Sequence, residues 1–147
     1  MGADDRESYL ARHLDEYYRA MGYLDHDLPK ESRVWFLWEP RSFYTSRQVQ
    51  PDALLDNWAH TLYLRGDPKA VRDDLVARGF SHVLVYRAGL AFFLTPPNRE
   101  VADEELDALR SFERSYLELI RGDPLGELGP GMDLANMGTR YAIYQLR

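Results

Sequence analysis

Four polar side chains follow directly after a short, strongly apolar segment of the chain. The run V-W-F-L-W, Val34 to Trp38, gives way to Glu39, Arg41, Ser42 and Tyr44. A run of this length, rich in β-branched and aromatic residues and without polar alternation, predicts a strand that is buried on both faces. In an open α/β sheet, ligands bind beyond the carboxyl ends of the strands. These four residues are therefore candidates for a ligand-binding site.

A second apolar run, His82 to Tyr86, ends in a similar way and is followed by Arg87. It comes after a predicted helix and a glycine, an order that is typical of a crossover to a parallel strand. Parallel neighbouring strands end at the same edge of a sheet. We therefore expect Tyr86 and Arg87 to face the same crevice as Glu39 and Arg41.

Two interpretations of Glu39 and Arg41 remain open. The two side chains either pair with each other or with neighbours and brace the loop, or they contact a ligand or partner, because perturbed charged groups occur in both kinds of site. No catalytic residue is assigned. A single glutamate without a paired acid is weak support for acid–base catalysis, and no G-x-S-x-G motif surrounds Ser42.

Neither a metal nor a cofactor is expected. The chain has no cysteine and four widely separated histidines, which gives no metal-site spacing. The segment Asp25-His26-Asp27 is interpreted as a solvated turn. The loop after the first strand, E-P-R-S, lacks the glycines that a dinucleotide fingerprint or a Walker loop requires.

The first two predicted helices cover residues 4–22 and 51–64. The first has an apolar stripe at three-to-four-residue spacing and Gly22 as its terminator. The stripe consists of Tyr9, Leu10, His13, Leu14, Tyr17 and Met21. The second starts at Pro51 beside Asp52, as helix beginnings often do. Its inward residues are predicted to be Leu54, Leu55, Trp58, Leu62 and Tyr63.

The third predicted helix has the clearest boundaries of the four. Asp67 is its N-cap, Pro68 occupies the first helical position and Gly79 follows its end. The fourth predicted helix covers residues 103–121, with an acidic first turn that complements the helix dipole. Its inner face is predicted to consist of Leu106, Leu109, Phe112, Tyr116, Leu117 and Ile120.

Beyond the two buried strands, residues 87–90 are expected to form a turn, and residues 91–95 a short strand or an apolar loop. Residues 141–146 alternate and predict a terminal edge strand with one buried face. Residues 122–140 are rich in glycine, so a lid, a binding loop or a mobile insertion is expected there, with the insertion preferred. The whole chain, residues 1–147, is predicted to be one small Rossmann-like three-layer α/β domain. Its sheet is expected to be mainly parallel, with three to four strands and about four helices.

Composition excludes several classes of protein. An apolar content of 45% excludes a disordered chain, and a net charge of −6 argues against nucleic acid as a partner. The sequence has no apolar window of about 18 residues that predicts a membrane span.

The order of several sequence blocks resembles that of a known family. The blocks are a Tyr-rich amphipathic helix, L-P, R-V-W-F-L-W-E-P-R-S-F-Y, P-D-A-L-L-D-N-W, G-F-S-H-V-L-V and a final Y-A-I-Y-Q-L. They resemble the soluble C-terminal domain of bacterial polytopic glycosyltransferases of the protein-mannosyltransferase type. The resemblance extends from Tyr17 to Leu146, and the block from Arg33 to Tyr44 is its most specific part.

This resemblance implies a function without implying a catalytic residue. Enzymes of that family use a polyprenyl- or dolichyl-phosphate-linked sugar, and their catalytic acidic residues lie in a loop between membrane spans that has no counterpart here. The resemblance therefore implies a non-catalytic accessory domain on the extracytoplasmic face of a membrane. Its partners would be the membrane domain of its own parent chain and a lipid-linked sugar or an acceptor.

Two other functions are compatible with the sequence. One is a free-standing α/β domain that binds a small anionic ligand, such as a sugar phosphate, at Arg41, Ser42, Tyr44 and Arg87. The other is a protein-interaction module that uses the aromatic first helix or the 122–140 segment.

Overall fold

The structure is a computed structural model that describes residues 2–126, 128–129 and 136–147, with side chains from Leu14 onward. Within these ranges it contains five helices and five strands. The helices are α1 (Gly2–Asp27), α2 (Asn57–Arg65), α3 (Pro68–Ala77), α4 (Arg87–Leu94) and α5 (Asp103–Tyr116). The strands are β1 (Arg33–Leu37), β2 (Gln48–Gln50), β3 (His82–Tyr86), β4 (Leu117–Arg121) and β5 (Tyr141–Leu146).

The five strands form one mixed sheet in the order β2-β1-β3-β5-β4. Strand β1 runs parallel to both β2 and β3, whereas β5 runs antiparallel to both β3 and β4. One apolar cluster lies between the sheet and α1, and a second, larger one lies between the opposite face and the other helices. This arrangement confirms the predicted α/β three-layer fold, with one strand and one helix more than expected and with a mixed rather than mainly parallel sheet.

The predicted pairing of the two apolar runs is confirmed. Strands β1 and β3 are parallel neighbours, with Trp35 opposite Val83 and Leu37 opposite Val85. Residues Val34 to Leu37 and Val83 to Val85 are fully buried. A strand that is covered on both faces needs no polar alternation, which is why a continuous apolar run was informative.

The third helix also begins and ends as predicted. The Asp67 side chain accepts a hydrogen bond from the Ala70 backbone N–H at 2.8 Å, and Pro68 is the first helical residue. Gly79, with φ of 84°, follows the C-cap residue Arg78. The positive φ is one that glycine adopts without strain.

The last strand differs from its prediction. Strand β5 lies inside the sheet between β3 and β4 rather than at an edge, and its first four residues, Tyr141 to Tyr144, are all buried. The sequence pattern predicted an alternating strand with only one buried face. Here Tyr141 and Tyr144 are accommodated in the interior because their hydroxyl groups hydrogen-bond to Glu39 and Glu113.

The missing edge strand was predicted as helix. Helix α5 ends at Tyr116, and Leu117–Arg121 continues as β4 against β5. The predicted inner residues Leu106, Leu109 and Phe112 are buried. Helical periodicity alone placed Leu117 and Ile120 on the same stripe, so it could not distinguish the last helical turn from a strand.

Residues 87–94 form the helix α4 instead of the expected turn followed by a strand or loop.

The predicted boundaries of the first two helices were also wrong. Helix α1 continues past Gly22 to Asp27, and Leu24 in this extension is buried, as is Leu28 directly after the helix. Leu14, which was predicted to lie on the apolar stripe, is 40% exposed. Tyr9, Leu10 and His13 have side chains outside the described residues.

Helix α2 starts six residues later than predicted, at Asn57, and a short strand, β2, precedes it. The backbone of Leu55 has φ of 60°, a left-handed conformation that interrupts any helix running from Pro51. Trp58 is buried as predicted, whereas Leu54 and Tyr63 are largely exposed rather than inward-facing.

The segment 122–140 is described only in part. Residues 127 and 130–135, on which the expectation of a mobile insertion partly falls, lie outside the described residues. In the part of the segment that is described, Leu125, Leu128 and Met137 are buried in the larger apolar cluster.

Asp52 joins the end of β1 to the start of α2. Its carboxylate, 1% exposed, accepts hydrogen bonds from the backbone N–H groups of Trp38 at 2.7 Å and Asn57 at 3.0 Å. Trp38 has φ of 60°, so the carboxylate holds a left-handed residue at the point where the strand ends. Burial nevertheless raises the pKa of Asp52, although these N–H donors act in the opposite direction.

We predict that Asp52→Ala lowers the free energy of unfolding by about 2–4 kcal/mol, because it leaves two inward-facing N–H groups without acceptors. Chemical denaturation measures this loss. The matched control is Asp56→Ala, since Asp56 is exposed and makes no side-chain cap for α2. Equal effects of the two substitutions would contradict the role assigned to Asp52.

Candidate functional site

The predicted site residues Glu39 and Arg41 form a two-point ion pair just after β1. Arg41 Nε lies 2.8 Å from Glu39 Oε1, and Arg41 Nη2 lies 3.1 Å from Glu39 Oε2. The Arg41 backbone N–H also donates to Oε1 at 2.9 Å. Glu39 is fully buried, whereas the Arg41 side chain is 32% exposed. Two parallel hydrogen bonds fix the relative orientation of the groups as well as neutralising their charge.

Tyr141, at the start of β5, completes this cluster. Its hydroxyl donates to Glu39 Oε2 at 2.7 Å and accepts from Arg41 Nη2 at 3.0 Å. Tyr86, which stands opposite Tyr141 across β3 and β5, stacks on its ring at 4.9 Å between centroids. The structure therefore brings Tyr86 together with Glu39 and Arg41, as the parallel pairing of β1 and β3 predicted.

The electrostatics of the cluster favour a charged Arg41 and a neutral Tyr141. Hydrogen bonds and charge attraction from Glu39 raise the pKa of Arg41 above its usual range. Burial raises the pKa of the Tyr141 phenol, and the adjacent Glu39 carboxylate acts in the same direction. Tyr141 therefore stays a neutral hydrogen-bond donor across the ordinary pH range.

Aromatic rings surround the cluster on the side of α1. The Arg41 guanidinium lies over the Tyr17 ring, 4.2 Å from its centroid. The Tyr17 hydroxyl donates to the Phe43 carbonyl, which ties the loop after β1 to α1. Phe43 and Tyr44 are 52% and 62% exposed, and Tyr44 packs edge-on against Tyr18. The exposed surface formed by Tyr18, Phe43 and Tyr44 is called the aromatic surface below.

The remaining candidates occupy different places. Ser42 is half-exposed in the loop between Arg41 and Phe43. Arg87 takes no part in the Glu39 cluster, because its guanidinium donates to the carbonyls of Pro124, Met137 and Thr139. Arg87 is 4% exposed, and its burial lowers its pKa.

These contacts match the bracing interpretation of Glu39 and Arg41. An anionic ligand at Arg41 would have to compete with a buried carboxylate that already holds two of its nitrogens. An anion at Arg87 would have to displace three carbonyl acceptors. The predicted set Arg41, Ser42, Tyr44 and Arg87 thus does not converge on one open anion site.

Sequence reasoning missed an open cleft among the described residues. It has a volume of about 360 Å³ and lies between α1 and the β4–β5 end of the sheet. We call it the arginine cleft, because its lining includes Arg19, Arg121 and Arg140, together with Glu16, Gly122 and Tyr141. These arginines are far apart in the chain and belong to no motif, so only their common position in the fold identifies them.

Two further features are absent from the described residues. No group of three or more histidine, aspartate or glutamate side chains is arranged to hold a metal ion in that part of the chain. None of the described helices combines the length and the apolar character needed to cross a bilayer.

No protein-family model, curated protein or solved structure matches this chain. The residues themselves therefore carry the functional argument.

We predict that Tyr141→Phe lowers the free energy of unfolding by about 1–2 kcal/mol, because it removes a hydrogen bond to a buried carboxylate. Chemical denaturation of the purified chain measures the difference. Tyr63 is 86% exposed, so the matched control Tyr63→Phe is expected to change stability by less than about 0.5 kcal/mol. A loss of the same size in both variants would contradict the assigned hydrogen bond.

Stability is also predicted to fall at alkaline pH. Burial and the Glu39 charge raise the pKa of Tyr17 from 10.0 to about 12. The phenol therefore ionises at a lower pH in the unfolded chain than in the folded chain. The contribution of Tyr17 to the free energy of unfolding is complete below pH 10.0 and is lost as the pH rises to about 12. Denaturation curves across this range measure the slope. Tyr17→Phe should reduce the slope, and an unchanged slope would refute the assignment.

Proposed function

We propose that this chain is a non-catalytic accessory domain of a membrane glycosyltransferase of the protein-mannosyltransferase type. The parent enzyme would use a polyprenyl-phosphate-linked sugar, and this domain would help to position the acceptor or the lipid-linked donor on the extracytoplasmic face. The observation that carries the proposal is the position of the block Arg33 to Tyr44. This most specific part of the family resemblance supplies β1, the Glu39–Arg41 pair and the exposed Phe43 and Tyr44.

The aromatic surface supports a position beside a membrane. Rings that combine an apolar body with a polar hydroxyl are enriched at membrane–water interfaces. Tyr18 and Tyr44 are of this kind, and Phe43 lies beside them. Two sets of contacts hold the loop that presents Phe43 and Tyr44. Arg41 pairs with Glu39 at its start, and Asp25 of α1 accepts hydrogen bonds from Thr45 and Ser46 after it. Such a fixed loop can keep a constant geometry toward a neighbouring domain.

The first test is the native gene that encodes this chain. We predict several apolar stretches of about 20 residues in the encoded protein outside residues 1–147, and recovery of that protein in the membrane fraction. A native protein without such stretches would contradict the proposal.

The second test uses the full-length native protein. The double substitution Phe43→Ser and Tyr44→Ser is expected to raise KM for the lipid-linked donor or the acceptor severalfold while kcat changes little, because both side chains are exposed and the proposed role of this domain is positioning rather than catalysis. The control is Tyr63→Ser, at a more exposed aromatic residue on α2. A kinetic profile identical to that of the control would count against positioning through the aromatic surface.

A further inference from the structure

We propose that the arginine cleft binds the phosphate group of a phosphate ester. The inference goes beyond the proposed function and does not require a glycosyltransferase parent. It rests on the convergence of Arg19, Arg121 and Arg140 around one open cavity.

The local charge of the cleft is opposite to that of the chain. Among the described residues, its lining includes three arginines and one acidic residue, Glu16, so the lining has a net charge of +2 in a chain whose net charge is −6. Cationic side chains that line a low-dielectric cleft raise the local concentration of anions. Guanidinium groups suit phosphate in particular, because their planar donor geometry matches two phosphate oxygens.

Most of the donors in the cleft are not used by internal partners. The guanidinium of Arg121 lies over the Tyr23 ring at 4.9 Å, and among the described residues it has no hydrogen-bond or ion-pair partner. Arg19 pairs with Asp15 at 2.9 Å, but both side chains are more than half exposed. A guanidinium carries five N–H donors, so these contacts leave donors for a ligand.

The pair between Arg140 and Glu16 is loose. Arg140 Nε lies 3.1 Å from Glu16 Oε2, yet that buried oxygen has no hydrogen bond of acceptable geometry. No described residue accepts a hydrogen bond from the Nη atoms of Arg140. By contrast, Arg41 is held by two aligned hydrogen bonds to Glu39, and Arg87 by three carbonyls. The arginines of the cleft therefore differ from the two that brace the fold.

The backbone fixes two of these arginines relative to each other. Arg121 ends β4 and Arg140 immediately precedes β5, and the two strands are paired. Gly122, with φ of 87°, allows its backbone to lie close to that of Tyr141. Any other residue would place its Cβ atom 2.1 Å from the Tyr141 carbonyl oxygen. Arg19 approaches from α1 on the opposite wall. A site with donors on separate fixed elements loses little conformational freedom on binding.

The volume of the cleft indicates more than a bare phosphate ion. At about 360 Å³ it falls in the range of small-molecule sites, which begin at roughly 300 Å³. A phosphate ester with an attached sugar or lipid therefore fits better than inorganic phosphate alone.

The test is titration of the isotope-labelled chain, followed by NMR and calorimetry, with inorganic phosphate, glucose 1-phosphate, farnesyl phosphate and glucose. We expect the three phosphate-bearing probes to shift the backbone amide signals of Gly122, Thr139 and Arg140, and glucose to leave them unchanged. Arg121→Gln and Arg140→Gln should each weaken binding about tenfold, the effect of removing one charge-assisted hydrogen bond. Glu16→Gln should strengthen it, because it removes the one acidic side chain among the described residues that line the cleft.

The matched control is Arg114→Gln, an exposed arginine on α5, which packs on the opposite face of the sheet. Thermal unfolding of each variant shows whether it remains folded. If no phosphate-bearing probe shifts the cleft signals, or if Arg121→Gln and Arg114→Gln bind equally well, the inference is overturned.

The two esters distinguish the source of the phosphate. Tighter binding of glucose 1-phosphate indicates a water-soluble sugar phosphate, and tighter binding of farnesyl phosphate indicates a lipid-linked one. Either result supports a phosphate site. Because these experiments use the chain alone, their failure would leave the membrane-enzyme proposal to be decided by the native gene and its kinetics.

Discussion

The neutralisation of the buried Glu39 carboxylate is the interaction on which the rest of the structure depends. A fully buried carboxylate is strongly unfavourable unless it is paired and hydrogen-bonded. Glu39 meets both conditions through Arg41, two residues away, and Tyr141, more than 100 residues away. The same contacts connect the end of β1 to the start of β5. These contacts hold the base of the loop after β1, which carries the exposed aromatic residues Phe43 and Tyr44.

The arginines of this chain fall into two groups with different consequences. Arg41 donates to a buried carboxylate and Arg87 to three loop carbonyls, and both hold the loops at one end of the sheet. Arg19, Arg121 and Arg140 line an open cleft and have weak or exposed partners. Tyr141 connects the Glu39–Arg41 pair with the arginine cleft, because its hydroxyl donates to Glu39 and it also lines the cleft. A ligand in the cleft would thus contact a strand whose first residue helps to hold the loop after β1.

The sequence was informative where local physical chemistry determines the structure. The apolar runs of β1 and β3 and the Asp67, Pro68 and Gly79 boundaries of α3 were predicted because each depends on nearby residues.

Strand β4 was missed because Leu117 and Ile120 continue a helical stripe. The interior position of β5 depends on Glu39 and Glu113, which provide acceptors for two tyrosines from distant parts of the chain. The arginine cleft was missed for the same reason, since its cations converge only after folding. Of the predicted site, Glu39, Arg41 and Tyr86 lie together, whereas Arg87 serves a different loop.

A double-mutant cycle of Glu39→Gln and Arg41→Gln tests most directly whether this buried pair organises the structure. Chemical denaturation of the parent chain, both single variants and the double variant gives the coupling energy. The account predicts a favourable coupling of about 1–3 kcal/mol, as for residues in one hydrogen-bonded ion pair. Additive effects, with a coupling below about 0.5 kcal/mol, would contradict it.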